Sequence, residues 1–223
     1  MVTLTILFDD RTLDKKLIPG HGFSCLIEVG RTKVLFDTGG DAAKLMYNMG
    51  ALGINPKSID LVVISHNHWD HTSGLSSLLS INPRITVYPP NYAQKPLEIS
   101  PNLWITGYVE TMYKDQRIIE QALVINKGNN IVIVSGCSHP GIEVFVEIAK
   151  SMFKDEKVKA LIGGWHMVDK KVKEVVDKLN KLKELNVESY IPCHCIGDKN
   201  LEVARKILGD KIIKCGTGLR ITL

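Results

Sequence analysis

Apolar residues fall into short runs separated by glycine-marked breaks over the first third of the chain. VTLTILF (2–8), FSCLIEV (23–29) and TKVLFD (32–37) are rich in β-branched and aromatic residues and predict three strands. Gly30–Arg31, between the last two, predicts a hairpin turn. After Gly39–Gly40 the pattern becomes helical from about Asp41 to Leu52, with Asp41 placed to cap the helix. The segment 60-DLVVIS-65 is apolar without alternation, the pattern of a strand buried on both faces. A helix start at Gly74–Leu79 and a strand RITVY (84–88) follow.

Residues 89–119 carry the weakest pattern and predict an extended insertion near the site. Regular patterning then resumes. ALVIN (122–126) and IVIVS (131–135) flank the turn KGNN and predict a hairpin. A helix near 141–153, a strand KALIG (159–163), an amphipathic helix from Asp169 to Leu185 and a strand ESYIP (188–192) alternate. A helix near 198–208 and two short strands close the chain. No repeat at solenoid spacing and no low-complexity segment interrupts this order. Hairpins mixed with helices in both halves predict an α/β (α+β) protein, with sheets inside and helices outside, in a single domain over 1–223.

Composition narrows the class only slightly. With 44% hydrophobic and 23% charged residues the chain is an ordinary globular protein. A net charge of +4 without a dense basic block gives no electrostatic signal for nucleic acid, while an anionic small substrate is tolerated. The N-terminal MVTLTILFDDRTLDKK does not read as a signal peptide, and no apolar run approaches the ~18 residues of a membrane span. Five cysteines, an odd number without a disulfide-like framework, predict a reducing compartment. The expectation is a cytoplasmic protein.

The candidate chemistry lies at strand ends. In 61-LVVISHNHWDHTSGL-75 the residues His66, His68, Asp70 and His71 form H-x-H-x-D-H directly after a buried strand. Alternation in an extended segment turns His66 and His68 to one side, and Asp70 and His71 follow a bend. Imidazole and carboxylate suit zinc, iron or manganese, and two adjacent metals can share such a loop. His139 follows IVIVS, His166 follows KALIG and His194 follows ESYIP, each just past the end of its strand. Open sheets gather their ligand sites there, so the pattern predicts a metal centre assembled from several strand ends.

H-x-H-x-D-H, with FDTGG (36–40) upstream and the later strand-end histidines, resembles the metallo-β-lactamase fold superfamily of metal-dependent hydrolases. HGFSCLIE, EQALVI, SGCSHPGI, IGGWHM and PCHCIGD resemble a narrower branch of it. That branch includes archaeal enzymes assigned to making the ribofuranosyl-aminobenzene phosphate conjugate of a dihydropterin. The resemblance implies a four-layer αββα sandwich. It places His66 and His68 on one metal, Asp70, His71 and His194 on another, and Asp37 in support of the ligand loop. The chain departs from the superfamily in its middle: no histidine occurs between His71 and His139, and the strand end reads SGC where a T-G-D-like end is usual. Cys137 stands where a bridging carboxylate is expected, as a thiolate ligand or as a small buried residue. His139 is then expected as the replacement ligand on the first metal. His166 is expected as a further ligand, a substrate-binding residue or a proton shuttle, and His21 as a residue of the pocket mouth or the plain surface.

The resulting expectation is a hydrolase or transferase with one or two Zn2+ ions, Fe or Mn being the alternatives. A metal-activated water would attack a small anionic ester-type metabolite, phosphate-containing or pterin-related, with Asp70 and His166 as catalytic residues. A di-iron redox protein and a non-catalytic metal-binding module are the competing readings. Flavodiiron relatives, however, carry an acidic residue where this chain has His68.

Overall fold

In the computed structural model, which describes residues 1–223, the first three apolar runs are antiparallel strands. These are β1 (Val2–Phe8), β2 (Ser24–Val29) and β3 (Thr32–Phe36), with β2 and β3 joined through Gly30–Arg31. Helix α1 (Ala42–Ala51) begins at Asp41, whose carboxylate accepts the backbone N–H of Lys44 at 3.0 Å. Strand β4 (Leu61–Val63), the short helices α2 (Trp69–Thr72) and α3 (Leu75–Ile81), and β5 (Thr86–Tyr88) follow. β4 lies between β3 and β5 and runs parallel to both. With the C-terminal strand Arg220–Thr222 on the far edge, the sheet has six strands ordered C-terminal strand, β1, β2, β3, β4, β5.

Contacts along the chain divide it into two compact units, Met1–Tyr92 with Cys215–Leu223, and Ala93–Lys214. In the first, Leu45 and Met49 of α1 and Leu78 of α3 pack on Leu7, Leu26, Leu35, Val62 and Ile64 of the sheet. Each such side chain, fully withdrawn from water, contributes about 1.5–3 kcal/mol. Asn48 is a polar exception inside this layer. Its amide donates to the carbonyls of Leu7 and Ile18 and its oxygen accepts the N–H of Ile18, all at 2.9 Å, so no polar atom is stranded.

The second unit corrects the reading of residues 89–119. What looked like an extended insertion holds β6 (Leu97–Ser100), β7 (Leu103–Ile105), β8 (Val109–Tyr113) and most of β9 (Gln116–Glu120). β8 and β9 form their own two-stranded hairpin. Its tip, Lys114–Asp115, has φ of 46° and 62°, the left-handed pair that a tight hairpin turn needs. β10 (Leu123–Asn126) and β11 (Asn130–Ser135) form the hairpin expected about KGNN. Helix α4 (Ile142–Met152), β12 (Lys157–Gly164), α5 (Val172–Glu184), β13 (Ser189–Cys193) and α6 (Asp198–Leu208) then alternate.

The sheet order here is β13, β12, β11, β10, β7, β6, and β11, β12 and β13 are parallel. Each pair of parallel neighbours is linked by a helix, the connection that parallel pairing requires. α5 shows why the chain is helical there: Val175, Leu179 and Leu182, at i, i+4 and i+7, are fully buried, while charged residues occupy most of the remaining positions. Only one short strand ends the chain, not two; Ile212 makes a single bridge to Tyr190.

Candidate metal centre

The predicted residues divide between the units. His21, Asp37, His66, His68, Asp70 and His71 belong to the first; Cys137, His139, His166 and His194 belong to the second. In both units they follow the C-terminal ends of parallel strands: Asp37 after β3, His66 to His71 after β4, His139 after β11, His166 after β12, and His194 after β13. Asp37, Ser138, His166 and His194 have φ of 57°, 62°, 44° and 42°. Non-glycine residues adopt this backbone at a cost, and it persists where surrounding contacts hold it.

In the first unit one carboxylate organises the ligand loop. Asp37, fully buried, accepts the backbone N–H of Ser65 on Oδ1 at 2.7 Å and the Ser65 hydroxyl on Oδ2 at 2.7 Å. The same Oδ2 lies 2.7 Å from His71 Nδ1. Burial pushes the Asp37 carboxyl up from its ordinary value, and His71 and Ser65 pull it back. Three converging donors are the surroundings of an ionised acceptor. His71 therefore carries its proton on Nδ1 and presents the Nε2 lone pair. Because the Ser65 hydroxyl hydrogen is committed to Asp37, the 2.8 Å contact of Ser65 Oγ with His66 Nδ1 makes His66 the donor. His66 also presents Nε2, so Asp37 sets both tautomers, that of His71 directly and that of His66 through Ser65.

The other candidates gather around these two rings. His66 Nε2 is 3.1 Å from His68 Nδ1. Two nitrogens bound at about 2.0–2.1 Å to one tetrahedral zinc lie about 3.3 Å apart, so the pair fits a shared ion. Asp70 Oδ2 lies 3.5 Å from His71 Nε2 and 3.5 Å from His21 Nε2, which brings His21 to the cluster. The α2 turn is pinned from behind. Thr38 donates its N–H (2.7 Å) and hydroxyl (3.0 Å) to the carbonyl of His71, and Phe23 N–H donates to Asp70 O at 3.3 Å. Gly40 permits this approach: a Cβ there would meet the His21 carbonyl oxygen at 2.2 Å and the Trp69 ring at 2.8 Å. Imidazole nitrogens and a carboxylate, buried and aligned by hydrogen bonds, suit a divalent metal.

The second unit contains an organiser that sequence reasoning missed. Glu120, at the end of β9 and fully buried, accepts the N–H groups of Cys137 (2.9 Å) and Ser138 (2.7 Å) on Oε1. On Oε2 it accepts the His139 N–H (2.7 Å) and pairs with His139 Nδ1 (2.9 Å). Here too a carboxylate holds an imidazole by Nδ1. A lone glutamate entering the apolar run EQALVI was the available signal. Ser65 was missed for a plainer reason, since nothing distinguishes one strand-end serine from another.

His166 packs its ring between Tyr113 of β8 (centroids 4.6 Å apart) and His139 (4.3 Å). Tyr113 is fixed in turn by its hydroxyl, which donates to Asp169 at 3.1 Å. Cys137 and Cys195 are buried and not disulfide-bonded, and their sulfurs and a ring nitrogen of His166 lie within 4.8 Å of one another. Burial by itself would push the Cys195 thiol up. The Cys137 and His166 side chains beside it, with His194 nearby, outweigh that and hold it well below the ordinary thiol value. His194 is 3% exposed at the end of β13. Cys193, just before it, is disulfide-bonded.

Two mixed sheets whose parallel strands end in imidazole-rich loops define a metal-dependent hydrolase-like architecture. Residues 17–153 match the metallo-β-lactamase superfamily model, and the chain belongs to that superfamily. Across 80% of its length and 82% of the relative's it is 31% identical to a protein of Methanocaldococcus jannaschii. That relative is named 7,8-dihydropterin-6-methyl-4-(β-D-ribofuranosyl)-aminobenzene-5'-phosphate synthase. Among solved structures, Tm1679, a metal-dependent hydrolase of the β-lactamase superfamily, aligns with a TM-score of 0.80 and 26% identity, covering 100% of this chain and 99% of that one. YhfI of Bacillus subtilis, a metallo-β-lactamase fold protein, aligns with a TM-score of 0.72 at 15% identity over 100% of both chains. The fold is the mixed α/β metallo-β-lactamase fold, and no helix is long and apolar enough to cross a membrane.

Proposed function

We propose that this chain is a metal-dependent hydrolase or transferase of the cytoplasm acting on a small anionic ester-type metabolite, phosphate-containing or pterin-related. The observation that carries the reading is the Asp37–Ser65 relay, which commits His66 and His71 to the tautomers that ligate metal. The ligand set is the one expected from the sequence: His66, His68, Asp70 and His71 with His139 and His194, for one or two zinc-type ions. A bound cation of this kind lowers the pKa of water toward neutrality and polarises the ester oxygen. The side chains supply the rest. Asp37 and Glu120 keep the imidazoles oriented, Asp70 accepts a proton, and His166 binds substrate or carries a proton. The pterin-phosphate class is supported by the name of the M. jannaschii relative and by the mildly basic balance of the chain.

The test is metal analysis of the purified protein together with a screen of phosphomonoesters, phosphodiesters, thioesters and lactones, pterin ribosyl phosphates included. Turnover that is lost on chelation, restored by zinc, and absent in His66→Ala/His68→Ala supports the reading. Stoichiometric metal without turnover on any ester class would favour a non-catalytic metal-binding module instead.

A further inference from the structure

In the second unit Cys137, His166 and Cys195 lie outside the ligand set above, although PCHCIGD supplies His194 to it. We infer that Cys137, His166 and Cys195 form a thiolate–imidazole site for a zinc-type ion, built wholly within that unit. Their three donor atoms lie within 4.8 Å of one another. Around a tetrahedral zinc, with Zn–S about 2.3 Å and Zn–N about 2.0–2.1 Å, such donors sit roughly 3.5–3.8 Å apart. Closing the gap needs a movement of about 1 Å, the scale of small χ rotations rather than of backbone rearrangement.

Three independent features prepare the residues for this role. Both ring nitrogens of His166 are buried and have no hydrogen-bond partner, an uncommon arrangement that a bound ion would explain. The His166 backbone N–H donates to Cys195 Sγ at 3.1 Å, the kind of contact that supports charge on sulfur, and the left-handed φ of 44° at His166 is part of that geometry. Gly164 makes the space. A Cβ there would stand 2.6 Å from Cys195 Sγ and 2.4 Å from the Gly136 carbonyl oxygen, so the sulfur occupies the room a side chain would fill.

The donor chemistry selects the ion. Two sulfurs and an imidazole favour zinc and its softer neighbours, and disfavour magnesium and calcium, which require oxygen. Three protein ligands leave a fourth position for water or a small ligand, as in zinc sites that are not purely structural. None of the three residues belongs to the H-x-H-x-D-H set, so this ion is distinct from the hydrolase metals, and the inference gives His166 a ligand role in place of the substrate-binding or proton-carrying one.

Cobalt(II) titration of the full-length reduced apoprotein tests it, since thiolate ligation gives an intense sulfur-to-cobalt charge-transfer band that imidazole and carboxylate ligation do not. We expect one equivalent to develop the band, with at least tenfold weaker binding at that site in Cys195→Ser and in His166→Ala. Turnover and metal at the remaining ligands would survive in Cys195→Ser, which keeps failure of this site distinct from failure of the proposed activity. No charge-transfer band, or a band indifferent to both substitutions, overturns the inference. If either variant fails to fold, alkylation of the native protein decides: zinc that protects Cys137 and Cys195 supports the site, and unchanged labelling refutes it.

Discussion

Replacing Glu120 by glutamine isolates the buried organiser of the second unit without changing its size. The carboxylate accepts four donors, the N–H groups of Cys137, Ser138 and His139 and the His139 ring N–H, at 2.7–2.9 Å. A glutamine offers one carbonyl oxygen and one NH2. Whichever way the amide is turned, its oxygen can keep two of the four donors, and its NH2 faces the other two. Each buried donor left unsatisfied costs about 1–3 kcal/mol, and the charge-assisted character of the two retained bonds is lost as well. The expected destabilisation is about 3–5 kcal/mol. At about 2–4 °C per kcal/mol for a chain of this size, Tm should fall by about 10 °C. Differential scanning calorimetry measures this directly, and hydrogen exchange should show faster exchange at the amides of residues 137–139. A Tm within about 3 °C of the native protein would refute the claim that Glu120 holds this loop.

In the first unit, Ser65→Ala should remove the link between Asp37 and His66, costing about 1–3 kcal/mol in urea unfolding and about 10- to 100-fold in zinc affinity by competition titration; unchanged zinc affinity would show that the relay does not orient His66. Gly40→Ala should destabilise by at least about 1–3 kcal/mol, because its Cβ would meet backbone at 2.2 Å, and a neutral result would contradict the close approach of the α2 turn. Burial pushes the Cys25 thiol far above its ordinary value, so it remains protonated and is expected to resist iodoacetamide at pH 8 while it reacts on unfolding; labelling of the native protein at Cys25 would disprove this. Asn48→Ala strands the Ile18 N–H and the Leu7 and Ile18 carbonyls, and should cost about 2–4 kcal/mol in urea unfolding. A loss below about 1 kcal/mol would show that water replaces the amide.

Much of the fold was legible because it is written in local periodicity. Continuous β-branched runs gave β1 to β4 and β10 to β13, and the stripe of Val175, Leu179 and Leu182 gave α5. The strand-end position of every predicted ligand was visible for the same reason. Residues 97–120 were not legible as strands. β6 and β8 are short and largely solvent-facing, so apolar content could not mark them, although each pairs with the strand that follows it in the chain.

The sequence by itself determined which residues are candidates for the chemistry: H-x-H-x-D-H and the later strand-end histidines stand out by side-chain type and spacing. Tertiary structure alone decided how those side chains are aimed. That Asp37 reaches Ser65 and His71 across 28 and 34 residues, and that Glu120 gathers the 137–139 loop across 17 to 19, are consequences of strand register, which no local pattern encodes. The hydrogen bonds that fix a tautomer link elements far apart in the chain, and they exist only once the sheet has placed those elements side by side.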